Sequence, residues 1–316
     1  MRIVIMGSGG IGGFFGARLA EAGEDVWFVA RGKHLAAMKQ HGLRIKSTAG
    51  EFTVPPGTMT DDVRAIGRAD VVLFCVKAYD TESAARQLVP ILRDESLIIP
   101  LQNGVDNEEK IRAVVPRGDV YGGVAYISSR ITGPGEITEV GGFQRIVFGP
   151  QQPKTNAHAQ ALHEAFLRAG IKSQLQDDIT KELWRKLIFI ASMGSLTALS
   201  RLTHGEILRN ARAVSLMFDA MREVHAVASK LGIELEGVDE ARVLEGLKRF
   251  SDDTRSSMYF DLAAGKPMEI EALNGTIVRL GEQLGVATPI HRVIYSVLLP
   301  YHLKHSAALS AQQTAP

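Results

Sequence analysis

Three glycines near the start of the chain are spaced for phosphate chemistry. Gly7-Ser8-Gly9-Gly10-Ile11-Gly12 follows the β-type run Arg2-Ile3-Val4-Ile5-Met6 and opens an Ala/Leu/Phe-bearing stretch that stops at Gly23. A G-x-G-x-x-G pattern between a strand and a helix suits a dinucleotide. Gly7 takes the tight turn, Gly9 lets the backbone approach a diphosphate, and Gly12 lets helix and strand pack closely. The diphosphate then rests on the free N–H groups and positive end of the helix, with Ser8, Gly10 and Ile11 in the same loop.

The next β-type run, Asp25-Val26-Trp27-Phe28-Val29, sharpens the expectation. An NAD site normally ends this strand with a carboxylate for the ribose 2′-hydroxyl. Here the chain reads Ala30-Arg31-Gly32-Lys33. A guanidinium at Arg31 would pair with a 2′-phosphate that a carboxylate would repel. The predicted cofactor is therefore NADP(H), with Lys33 auxiliary.

Two further strand ends carry polar groups, Val76-Lys77-Ala78-Tyr79-Asp80 and Leu101-Gln102-Asn103-Gly104. Lys77 is placed to lie along the cofactor and Asn103 to meet the nicotinamide ribose or the substrate. Solvated turn chemistry is the alternative for both. Later, Lys186 opens a long uncharged helical pattern with Ile190 and Gly194 on its face, one and two turns on. Such a lysine can equally snorkel to solvent. Ser257 and Asp261 lie one helical turn apart, and Glu269 follows a Gly265-Lys266-Pro267 break. A charged helix-loop-helix surface would look the same.

The elements that must hold these groups fall into two halves. Strands alternate with helices to about residue 175, giving a Rossmann-type doubly wound α/β domain over residues 1–177. Leu43–Ser47 and Glu51–Val54 read as a hairpin, and Gly135–Val140 with Gln144–Phe148 as a second antiparallel pair at the sheet edge. From residue 178 helical periodicity takes over, at 181–199, 207–231, 239–250, 273–284 and 291–302. This predicts an all-α substrate domain over 178–304, with the cleft between domains as the default substrate site. Residues 305–316 read as a frayed tail.

Composition narrows the class. Hydrophobic content of 45% with 22% charged residues is ordinary for a globular chain, and a net charge of +1 gives no pull toward nucleic acid or an anionic membrane. The uncharged stretch Leu187 to Ser200 suits a core helix and is too short to span a bilayer. The single cysteine, Cys75, excludes an internal disulfide and reads as a buried structural thiol. The chain enters a functional strand at once, so no signal peptide is expected and the expected compartment is the cytoplasm. Nine histidines lie scattered without a ligand cluster, so no metal is predicted. The apolar helices leave a homodimer open.

These motifs, in this order, resemble the ketopantoate reductases. The resemblance rests on the glycine loop, Arg31, Lys77, Leu101-Gln102-Asn103-Gly104, Trp184-Arg185-Lys186-Leu187 and Leu196-Thr197-Ala198-Leu199. It extends through Ser256-Ser257-Met258, Asp261, Glu269-Ile270 and Asn274-Gly275, so it covers residues 1 to about 302. It implies reduction of ketopantoate to pantoate by NADPH, on the route to pantothenate and coenzyme A. It further implies that Lys186 protonates the carbonyl oxygen, that Glu269 positions the lysine and the substrate hydroxyl, and that Ser257 and Asp261 lie at the substrate. Asn103 would stand at the nicotinamide edge.

Four positions depart from the family pattern. Asparagines expected one and two turns after the lysine are Ile190 and Gly194, and His204 and Thr254 replace two more. Those amides hold the hydroxyl and carboxylate of ketopantoate, so the departures bear on substrate choice. A paralogous reductase of another 2-oxo acid is the second reading. A third is a non-catalytic NADP-binding regulator, which would have no use for Lys186 and Glu269 together.

Overall fold

The computed structural model describes the backbone of residues 1–314 and the side chains of residues 1–309. It divides into two compact units, Met1–Gln102 with Asp106–Glu182, and Asn103–Val105 with Leu183 onward.

The first unit begins with β1 (Arg2–Met6), α1 (Gly10–Glu21), β2 (Asp25–Val29) and α2 (Gly32–His41). Then come β3 (Leu43–Ser47), β4 (Gly50–Val54), β5 (Met59–Thr60), β6 (Val71–Phe74), α3 (Thr81–Leu88), β7 (Leu97–Pro100), α4 (Asn107–Arg112) and β8 (Asp119–Val120). The main sheet is wholly parallel in the order β5-β2-β1-β6-β7-β8. That is the doubly wound order, whose reversal beside β1 puts the β1–α1 loop where such sheets bind ligands. Continuous apolar runs are suited to β1, β6 and β7 because central parallel strands are covered on both faces. Ile3, Ile5, Phe14, Phe15 and Phe28 are fully buried, each contributing about 1.5–3 kcal/mol relative to exposure.

The unit closes with β9 (Gly122–Tyr126), β10 (Ser129–Gly133), β11 (Glu136–Glu139), β12 (Arg145–Gly149), α5 (Ala157–Arg168) and β13 (Lys172–Leu175). The β3–β4 hairpin forms as its sequence predicts. The predicted pairing of 135–140 with 144–148 does not. β11 pairs with β10 and, in parallel, with β3, whereas β12 pairs with β9 and β13. Packing decides this. Ile137 of β11 is fully buried against α1, where a Cβ on Gly13 would lie 2.2 Å from its Cδ1. Ile146, Val147 and Phe148 of β12 are all buried, which demands the centre of a sheet with a neighbour on each side.

The second unit is helical: α6 (Thr180–Phe189, whose first turn belongs to the first unit), α7 (Ser195–Ser200), α8 (His204–Leu208), α9 (Ala211–Lys230), α10 (Glu240–Leu247), α11 (Ser257–Ala263), α12 (Thr276–Leu284) and α13 (Pro289–Thr314). Met217, Phe218, Met221, Val224, Val227 and Ala228 form the buried stripe of α9. The predicted 207–231 helix breaks at Arg209-Asn210, because the Asn210 side chain accepts from the N–H groups of Arg212 and Ala213 and starts α9 afresh. The predicted 181–199 helix is interrupted by a π-turn at Ile190–Gly194, and a second π-turn occupies Glu271–Gly275.

Residues 306–314 continue α13, where the sequence suggested fraying. Ala307, Ala308, Leu309, Ala311, Gln312 and Gln313 are strong helix formers extending a helix already nucleated, with Pro300 inside it. Residues 315–316 of that tail lie outside the described residues. No described helix is long and apolar enough to cross a membrane.

Candidate active site

The glycine loop meets each demand its pattern makes. Gly7 has φ +99°, open to glycine without strain, and its N–H and that of Ser8 both donate to the Val29 carbonyl. A Cβ on Gly12 would lie 2.3 Å from the Gly7 carbonyl oxygen and 2.8 Å from Cys75 Cβ, so helix and strand approach too closely for alanine. A Cβ on Gly9 would meet nothing within 4 Å. That open side, at the N-cap of α1 and with no acid in the first helical turn, fits the diphosphate of a dinucleotide. Gly10 backs onto the Ser129 carbonyl. Ser8 is buried with its hydroxyl donating to Val29 O at 3.0 Å, and Ile11 packs against the core.

A residue missed in the sequence buttresses this loop. His34 on α2 donates from Nε2 to the Ser8 carbonyl at 3.0 Å, while its Nδ1 accepts the Gly135 N–H at 3.1 Å. Burial lowers its pKa, which favours the neutral ring these two bonds require. No local motif announces the role, since Ser8 and Gly135 are far from it in sequence. Burial raises the Cys75 thiol well above its usual range, so no thiolate forms there.

Arg31 is the N-cap residue of α2, exposed at the end of β2, and its guanidinium donates to the Asp80 carboxylate at 2.8 Å. Lys33 lies exposed in the first turn of α2. Lys77 is partly buried beyond the end of β6, preceding the short turn Ala78–Asp80.

Within the second unit, Lys186, Glu269 and Asn103 come together. Lys186 is in the last turn of α6, partly buried, and the loss of hydration lowers its pKa to about 8 while the negative charge of Glu269 works against that fall. Glu269 is buried, and its Oε2 accepts from Asn103 Nδ2 at 3.2 Å. Gly104 takes φ +111°, and Val105 packs on the helical core, so the Asn103–Val105 strip is anchored there. An ammonium protonated at neutral pH, yet with a pKa close enough to release its proton, can act as a general acid.

The π-turn changes the geometry beyond Lys186. Ile190 begins it and packs, partly buried, against the helical core. Gly194 ends it. The wider turn between them breaks the α-helical phase that would put Gly194 on the lysine's face. The Gly194 carbonyl instead accepts from Ser256 Oγ at 2.7 Å and Thr197 Oγ1 at 2.8 Å. Ser256 also caps α11 through the Tyr259 N–H, a structural task that leaves the neighbouring Ser257 exposed. Asp261 follows one turn on, partly buried.

His204 is buried edge-on to Phe250, itself stacked on Phe189, and burial pulls the imidazole down to about 4. The backbone N–H of His204 donates to the carbonyl of Thr254, so two of the positions that depart from the family pattern are neighbours. Among the described residues, no group of three or more His, Cys, Asp or Glu is placed to hold a metal ion.

Comparison with known proteins bears on both units. Residues 3–153 match the family described as Ketopantoate reductase PanE/ApbA, and residues 178–302 match Ketopantoate reductase PanE/ApbA C terminal. The 2-dehydropantoate 2-reductase of Archaeoglobus fulgidus is 32% identical over 298 residues, covering 94% of this chain and 96% of the relative. The uncharacterized oxidoreductase YkpB of Bacillus subtilis is 30% identical over 303 residues, covering 95% and 99%. A crystal structure of a PanE/ApbA family ketopantoate reductase from Ralstonia eutropha superposes with a TM-score of 0.88 at 34% identity, covering 97% of this chain and all of that one (100%). Matched in both halves and along nearly its whole length, the chain belongs to the ketopantoate reductase family, oxidoreductases that act on a CH–OH group.

Proposed function

We propose that this protein reduces ketopantoate (2-dehydropantoate) to pantoate with NADPH, providing pantoate for pantothenate and coenzyme A synthesis. The observation that carries the reading is the pairing of Lys186, its pKa lowered to about 8, with buried Glu269. Bound NADPH supplies the hydride. Lys186 delivers the proton to the carbonyl oxygen and stabilises the charge developing there. Glu269 holds the ammonium in line, and Asn103, bonded to Glu269, orients the carboxylate and contacts the nicotinamide side of the substrate. The Gly7–Gly12 loop cradles the diphosphate, Arg31 reads the 2′-phosphate, and Lys77 lies along the cofactor. Ser257 and Asp261 complete the substrate site.

A second reading, reduction of a 2-oxo acid lacking the 4-hydroxyl, draws on Ile190 and on the neutral, apolar-packed His204. One experiment tests both: NADPH consumption by the purified protein with ketopantoate and, in parallel, with a panel of unhydroxylated 2-oxo acids. Turnover of ketopantoate well above the panel establishes the first reading. Turnover of the panel alone establishes the second, and no turnover of any member defeats both.

A further inference from the structure

The two π-turns lie just beyond the two charged residues of the candidate site. One begins four residues after Lys186 and the other two residues after Glu269. A π-turn is rare because its i→i−5 bonding, seen here as Gly275 N–H to Ile270 O at 2.9 Å, packs the backbone less well than an α-turn. Such a turn persists where the surroundings over-determine it.

Asn274 supplies that determination. It sits inside the second π-turn, fully buried, and donates from Nδ2 to the Ala191 carbonyl of the first at 3.1 Å. The other Nδ2 proton goes to His291 Nδ1 at 2.9 Å, and Oδ1 accepts from Ser195 Oγ at 2.6 Å. His291, on α13, donates from Nε2 to the Ala220 carbonyl of α9 at 3.0 Å. Burial pulls its imidazole down to about 4, so the ring is neutral as both bonds require. Glu223 is the charged group facing this end of α13, and it accepts the N–H groups of Ile290 and His291. Ser195, Asn274 and His291 are all fully buried. Leucine would fill the space, but a satisfied amide with three partners fixes one register, which an apolar side chain does not.

We propose that Asn274, held by Ser195 and His291, is a positioning residue that fixes the Lys186 helix in register against the segment carrying Glu269. This rests on the reading of Lys186 as proton donor.

The test compares Asn274→Ala, Ser195→Ala, His291→Gln, His291→Leu and Lys186→Ala for thermal stability, NADPH affinity, kcat, KM and the pH profile of kcat/KM. Asn274→Ala is expected to lower kcat roughly tenfold to a hundredfold, the cost of a small misplacement, with NADPH affinity unchanged. Its basic limb should move to higher pH as Lys186 gains hydration. Ser195→Ala, which removes one bond only, should show the same shift in milder form should Asn274→Ala not fold. His291→Gln, able to accept from Asn274 and donate to Ala220, should restore what His291→Leu loses. A drop in melting temperature with kcat and pH profile unmoved in Asn274→Ala or Ser195→Ala would overturn the proposal and leave the cluster merely structural. Near-full activity in Lys186→Ala would instead overturn the proton-donor reading, independently of Asn274.

Discussion

Arg31 and Asp80 are joined by a 2.8 Å hydrogen-bonded ion pair, so the cation proposed to read a 2′-phosphate already shares its charge with a carboxylate. Arg31 is largely exposed, and an exposed pair of this kind is worth only about 0–1 kcal/mol, less than the 1.5–3 kcal/mol of a charge-assisted phosphate contact. The phosphate should therefore win. NADPH is expected to bind more than about tenfold tighter than NADH in titrations by fluorescence. Arg31→Asp should reverse the order, and Asp80→Asn should tighten NADPH by a smaller factor while leaving NADH alone. Equal affinities in the unmodified protein would defeat the assignment.

Gly9 and Gly12 should fail in different ways. Alanine at position 12 would drive its Cβ into the Gly7 carbonyl, so Gly12→Ala should lower the melting temperature substantially. Alanine at position 9 meets no protein atom, so Gly9→Ala should melt normally yet lose dinucleotide affinity. Calorimetry and cofactor titration on the two variants separate packing from binding.

The pairing of Lys186 with Glu269 predicts a pH profile. A lysine that must be protonated to act loses activity as pH rises through its pKa, so kcat/KM should fall through about pH 8. Glu269 raises that pKa, hence Glu269→Gln should move the limb to lower pH as well as slowing turnover. Lys186→Ala should cut kcat by roughly 10²-fold or more with NADPH affinity intact.

Ile190 tests substrate recognition. An isoleucine offers no hydrogen bond to a hydroxyl, and a site built without such a bond discriminates weakly in favour of the hydroxylated substrate. Ile190→Asn should raise kcat/KM for ketopantoate relative to its unhydroxylated analogue. A strong preference for ketopantoate that Ile190→Asn does not alter would mean that other groups hold the hydroxyl.

Where one segment carries its own chemistry, the sequence was legible. The G-x-G-x-x-G run specifies a tight turn, an open side and close packing within six residues, and all three appear in Gly7, Gly9 and Gly12. The β3–β4 hairpin is equally local. The partners of β11 and β12 were not legible, because alternation shows that a strand has a buried face but not which surface covers it. The same holds for His34 and Asn274, whose tasks lie in bonds to residues distant along the chain. The helix through Lys186 fails differently. Its apolar periodicity is continuous, and the extra residue of the π-turn has no signature in composition.

That extra residue has a genetic consequence. A helix with one π-turn is an α-helix carrying a single insertion, so deleting one codon within Ile190–Gly194 could restore regular winding at little cost to the segment itself. Everything downstream, beginning with Ser195, would keep its place on the axis, because the wide turn has already absorbed the extra residue. The Ala191 carbonyl lies within the wide turn, so its bond from Asn274 is the contact that would be disturbed, and the length of this segment and the residue at position 274 should change in concert.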